Sequence, residues 1–165
     1  MNKVTYPEFS ELINYYQTLT GDELIMKQQK QLLKSLRLAK KGDYQHALAD
    51  LRTEAEKLSE NWLLRKSIKP DTTFSQNINL LRHSRINQDS INTLYEVKAA
   101  GNKAVHELAA TKAVCQKCFY DYFKVLREYA KLTTKPARSF ILEKVLLAIL
   151  LAIFIWFLLK WGQAS

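Results

Sequence analysis

Glycine and proline are scarce in this chain of 165 residues, at 4 and 3, and cysteine is limited to 2. So few turn formers exclude a turn-rich β-sandwich, a collagen-like repeat and a flexible linker protein, each of which depends on Gly or Pro. Three motifs are also missing: a Gly-rich phosphate-cradling loop, a G-x-S-x-G nucleophile elbow and an H-E-x-x-H pair. Nucleoside-triphosphate and ordinary hydrolase chemistry therefore have nothing to rest on. Acidic residues are in short supply, 16 against 25 Lys and Arg, which leaves a net charge of +9. That balance suits a nucleic-acid binder and a protein beside an anionic membrane equally well. Global disorder is excluded by the 47% hydrophobic content, and the length allows one domain of ordinary size.

What the chain does have is helical periodicity. A short helix is expected over 8–19 and a longer one over 22–41, opened by Asp22. On the longer helix Ile25, Leu32, Leu36 and Ala39 share one side, while Lys27, Lys30, Lys34, Arg37 and Lys41 form a basic stripe on the other. Gly42 and Asp43 mark a turn into a third helix, whose seam is Tyr44, Ala47, Leu48, Leu51, Ala55, Leu58 and Trp62 or Leu63. These two helices are expected to form an antiparallel hairpin. After a connection around Pro70 come a short helix marked by Phe74, Ile78 and Leu81, and another opened by Asp89. Gly101-Asn102 reads as a helix end or kink, and a last soluble helix over 104–132 carries Phe119, Tyr120, Tyr122, Phe123 and Tyr129.

Cys115 and Cys118 have C-x-x-C spacing, but no second Cys pair or His pair at ligand spacing accompanies them. Two small buried residues on a helix is the preferred reading. No metal and no cofactor is expected.

The strongest single signal is the run VLLAILLAIFIWFLL at 145–159. Its 12 Leu, Ile, Phe and Val residues favour insertion by about 5 kcal/mol on a membrane-transfer scale. Extended to 140–161 the segment is ~33 Å long as a helix, enough for a hydrocarbon core of ~30 Å. A fully buried core helix is the competing reading, and the remainder of the chain is too small to surround one on every face. Basic residues Arg127, Lys131, Lys135, Arg138 and Lys144 precede the run and only Lys160 follows it. The expected arrangement is thus a single-pass, tail-anchored protein in a bilayer, the bacterial inner membrane, with its N-terminal domain in the cytoplasm. The anchor segment takes Lys144, Lys160 and Glu143 with it, which lowers +9 only to +8.

A family resemblance rests on two stretches. The sequence LRTEAE at 51–56 and LYEVKAAGNKAVH at 94–106 resemble an all-α domain of the HEPN superfamily, found in type I restriction enzyme R subunits and in stand-alone bacterial proteins. Its most specific piece is Gly101-Asn102 followed by Ala104-Val105-His106. The resemblance implies a HEPN-like helical bundle that often dimerises. It also implies a role in bacterial defence or stress response, as a binding or regulatory module acting by self-association or docking on a partner protein through the aromatic last helix or the hairpin. Active HEPN ribonucleases are metal-independent and place an Arg four to six intervening residues before a His. In this chain those positions before His106 are Gly101, Ala100 and Ala99, and Lys98 stands one step further away. The catalytic signature is incomplete, and Lys lacks the bidentate fork of Arg. The candidate polar site is therefore His106, Asn102 and Lys98, with Arg52 and Glu56 as a contribution from a second helix. An RNA-cleaving composite site is the alternative to a binding module.

Read one at a time, Gly101 is equally a helix cap, Asn102 a turn residue, His106 an N-terminal helix residue bonded to a backbone carbonyl, and Arg52 with Glu56 a solvated i,i+4 pair. The basic stripe has three readings: a solvated face, an anionic-lipid contact, or a nonspecific RNA or DNA contact. The expected organisation is a short N-terminal helix within 1–21, a bundle over 22–132, a juxtamembrane linker over 133–139, a transmembrane helix over 140–161 and a short tail over 162–165.

Overall fold

A computed structural model describes residues 5–133. Among them are six α-helices and no strand: α1 (Phe9–Gln17), α2 (Glu23–Lys40), α3 (Tyr44–Arg65), α4 (Phe74–His83), α5 (Gln88–His106) and α6 (Lys112–Thr133). The all-α class is as the periodicity indicates. The linker and transmembrane helix expected beyond α6 lie outside the described residues. Among the described residues, no helix is long and apolar enough to cross a membrane.

Side chains with local hydrogen-bonding power fix the helix starts. Asp22 accepts from the Ile25 amide at 3.0 Å, Asp43 from the His46 amide at 3.2 Å, Thr73 from the Gln76 amide at 3.3 Å, and Asn87 from the Asp89 amide at 3.0 Å. Each satisfies a donor that has no partner within its own helix. Gly42, at φ +95°, turns the chain between α2 and α3 in a conformation that L side chains rarely adopt.

The long helix α3 packs against α2, α4, α5 and α6, and α6 also touches α1, α2 and α5. The core gathers Ile25, Leu32 and Leu36 of α2, Leu51, Leu58 and Trp62 of α3, Leu94 of α5, and Phe119, Tyr122 and Leu126 of α6. Trp62 meets Tyr129 edge-on at 5.5 Å between ring centroids, and Tyr16 meets Phe119 at 6.1 Å. At one end of the bundle three helices are clasped together. Arg65, the last residue of α3, donates to the Tyr129 hydroxyl at 2.6 Å and pairs with Asp22, the cap of α2.

The region around Gly101 differs from expectation. Helix α5 runs through it without interruption to His106, and the break falls at 107–111, where Leu108 takes a positive φ of 50°. The residues 104–106 therefore belong to α5, and α6 starts at Lys112. The reason for a glycine here is lateral: a Cβ on Gly101 would stand 2.5 Å from the Arg52 Cβ of α3. Glycine permits the close approach of two helices. Gln45 reaches the Leu108 carbonyl at 2.7 Å, so α3 and α5 run antiparallel through this contact. The start of α5 is also one step earlier than expected, with Asn87 as its cap and Asp89 in its first turn.

Candidate functional site

Lys98, Asn102 and His106 recur at intervals of four along α5 and so follow one side of it. They do not converge on a cavity. Lys98 is half-buried and donates to the Ser75 hydroxyl of α4, Asn102 is half-buried, and His106 ends the helix with its side chain exposed. Arg52 crosses the backbone of Gly101, next in sequence to Asn102. Its guanidinium lies 3.7 Å from the Glu56 carboxylate, a half-buried i,i+4 pair. The Arg52 Nε is buried without a hydrogen-bond partner among the described residues. The fold thus joins Arg52 and Glu56 to the Gly101 segment and leaves His106 and Lys98 apart, one at the helix end and one turned to α4.

The basic stripe has a different character. Lys27, Lys30, Lys34, Arg37 and Lys41 are all exposed, and none has an ion-pair partner among the described residues. Lys27, Lys30 and Lys34 line a groove of about 670 Å³ between α2 and α3, joined there by Lys57. Two carboxylates of the groove are already engaged, Asp50 by the Ser35 hydroxyl at 2.7 Å and Glu54 by Lys57 at 2.7 Å. The floor is held by Gln28, which is 1% exposed. Its amide donates to the Glu54 carbonyl at 2.7 Å, and its oxygen accepts from the Tyr122 hydroxyl at 3.2 Å.

A second cleft, of about 640 Å³, separates the outer edges of α5 and α6. Its charges neutralise one another. Lys117 pairs with Glu96 and with Asp121 at 3.1 Å, Lys124 with Asp121 at 2.8 Å, and Ser90 donates to Glu128. Partial burial pulls the Lys117 ammonium toward deprotonation, but hydrogen bonds to Glu96 and Asp121 outweigh it and hold its pKa above the usual lysine range.

Cys115 and Cys118 are free and buried on α6. Burial pushes both thiols up to about 12. They are protonated near neutral pH and unsuited to thiolate redox or metal chemistry. Among the described residues no cluster of His, Cys, Asp and Glu could hold a metal ion. The aromatic residues of α6 are also turned inward: Phe119, Tyr122, Phe123 and Tyr129 are buried and Tyr120 is half-buried. The aromatic last helix expected to dock a partner instead builds the core.

Sequence reasoning missed the buried polar links, chiefly Gln28 to Glu54 and Tyr122, and the Tyr16 hydroxyl donating to the Phe119 carbonyl at 2.8 Å. A signal for the first was present. Gln28 falls between Ile25 and Leu32 in the apolar register of α2, and a polar residue at a core position needs partners. Compared with family models, with curated proteins and with solved structures, the chain matches none.

Proposed function

We propose that this chain is a membrane-anchored, HEPN-like binding or regulatory module whose helical domain faces the cytoplasm, acting in bacterial defence or stress response through self-association or a partner protein. The six-helix all-α domain is compatible with the resemblance carried by 51–56 and 94–106. The apolar run at 145–159 and the basic flank before it support the anchor and its orientation. One observation carries the choice of binding over catalysis. Among the described residues, His106, Asn102, Lys98, Arg52 and Glu56 line neither of the clefts described above, whereas three of the four lysines lining the α2–α3 groove, Lys27, Lys30 and Lys34, have no ion-pair partner. A catalytic group must come within hydrogen-bond reach of its substrate, and a groove with spare cations is suited to holding an anion.

A second reading, a metal-independent ribonuclease built on His106 and Asn102 with a cation from Arg52 or Lys98, is favoured by the unpartnered Arg52 Nε beside the Gly101 backbone. Incubation of the full chain with tRNA and mRNA in the presence of EDTA separates the two. The binding module leaves both RNAs intact across protein concentrations that span monomer and oligomer by light scattering. Cleavage that His106→Ala abolishes would replace the binding reading with the nuclease. The anchor is tested by carbonate extraction of membranes, which leaves an integral protein in the pellet and releases a peripheral one.

A further inference from the structure

The five stripe cations lie along one exposed face of α2, ~21 Å from first to last at 1.5 Å per residue. Three of them deepen into the α2–α3 groove, where Lys57 adds a fourth cation. Lys57 is paired with Glu54, and Asp50 keeps its charge while accepting from the Ser35 hydroxyl. Lys27, Lys30, Lys34 and Lys57 against those two carboxylates still leave the groove an excess of two positive charges for an outside ligand. The rest of the lining is neutral and hydrogen-bonding, including Gln31, Thr53 and Asn61. Such a surface fits a row of phosphate groups, each solvated on one side and met by lysines on the other.

Where this face sits in the bundle selects the source of those phosphates. Asp22 at the start of α2, Arg65 at the end of α3 and Tyr129, one turn before the end of α6, meet at one end. Thr133, the last described residue, ends α6 four positions after Tyr129. Lys27, Lys30 and Lys34 follow Asp22 at ~7, 12 and 18 Å along the α2 axis. Six residues, 134–139, separate Thr133 from the start of the proposed span at 140, and the seven steps of chain reach at most ~25 Å. A bundle tethered so closely is held beside the headgroups at high local concentration.

From this charge and placement we propose that the α2–α3 face, centred on Lys27, Lys30, Lys34 and Lys57 with Arg37 and Lys41 continuing it, seats the phosphate headgroups of anionic phospholipid and lays the bundle against the bilayer. The proposal deepens the membrane-anchored reading and rests on it. Each such lysine near an anionic surface contributes about fivefold to the interaction at low salt, so three acting together give a large, salt-sensitive effect.

The test uses the full chain in nanodiscs, either of neutral phosphatidylcholine or with about one third phosphatidylglycerol. Lysines are modified with an amine-reactive reagent and each is followed by mass spectrometry. Anionic lipid is expected to slow modification of Lys27, Lys30 and Lys34 at least threefold, to leave Lys103 and Lys112 unchanged, and to lose its effect in roughly 0.5 M salt. Equal rates in the two lipids, or uniform slowing of every lysine, would overturn the proposal. Protection in neutral discs by millimolar inorganic phosphate, without a lipid effect, would assign the groove to a soluble phosphate and overturn the lipid assignment. The triple variant Lys27→Gln, Lys30→Gln and Lys34→Gln should stay in the membrane after carbonate treatment yet lose the lipid-dependent protection of Lys57. Should carbonate release the native chain, the anchor fails by itself and the groove is judged by co-sedimentation with vesicles of the same compositions. Binding to anionic vesicles that the triple variant weakens at least tenfold upholds the groove, and equal binding of native and variant rejects it.

Discussion

Two clefts among the described residues, one between α2 and α3 and one along α5 and α6, are nearly equal in volume and both rich in lysine, yet they are electrically unlike. Along α5 and α6, Lys117 and Lys124 are matched by Glu96 and Asp121. Along α2 and α3, Lys27, Lys30 and Lys34 form no ion pair among the described residues, and the four lysines of the groove outnumber its two carboxylates, Asp50 and Glu54. The net charge of the whole chain does not reveal this contrast, and counting lysines does not either. What matters is whether each cation is matched within its own fold, because a matched pair contributes to cohesion and an unmatched one remains available to a ligand.

Substitutions can break the contrast, and the largest effect is expected beneath the α2–α3 groove. Gln28→Leu removes the donor to the Glu54 carbonyl and leaves the Tyr122 hydroxyl buried without its acceptor. A loss of about 2–4 kcal/mol is expected from urea unfolding. On the α6 side, the buried thiols make stability depend on alkaline pH. In the fold Cys115 and Cys118 hold their protons to about 12, against an ordinary value of 9.0. Between those limits the folded state binds more protons than the unfolded one, so stability is fully present below about pH 8.5 and falls as pH rises. The slope is about 1 kcal/mol per pH unit for each thiol, and Cys115→Ala with Cys118→Ala should flatten a series of unfolding curves taken from pH 8 to 10.

A smaller effect follows from Asp121→Asn, which deprives Lys117 and Lys124 of a shared partner. About 1 kcal/mol is expected, shrinking in high salt. Smallest of all is the triple replacement of Lys27, Lys30 and Lys34 by Gln. With no pair to lose, it should alter unfolding free energy by no more than about 0.5 kcal/mol. A substantial loss in this variant would show that the groove lysines stabilise the fold after all, and the comparison would collapse.

Much of the architecture is legible in the amino-acid order. Asp22 and Asp43 announce helix starts by side-chain chemistry, and the seam from Ala47 to Trp62 is buried as its spacing requires. The basic stripe is legible too, because a helix turns its residues outward at fixed intervals. Gly101 is misread for a physical reason. Glycine ends helices and also lets helices touch, and only the partner at Arg52 tells the two apart. The pairing of α2 with α3 is legible from the turn at Gly42 and Asp43, but the groove is not, since the order of residues does not report which stripe cations lie beside Lys57 of α3. The polar site read around His106 fares differently: its members recur regularly on α5, but regular spacing brings side chains into line rather than around a substrate.

The clasp of Asp22, Arg65 and Tyr129 has a mechanical consequence. A pull on the C-terminal end of α6 enters the domain close to Tyr129, which is tied to Arg65 and through it to Asp22, the cap of α2. Tension there reaches α3 and α2 as well as α6, through one hydrogen bond and one ion pair.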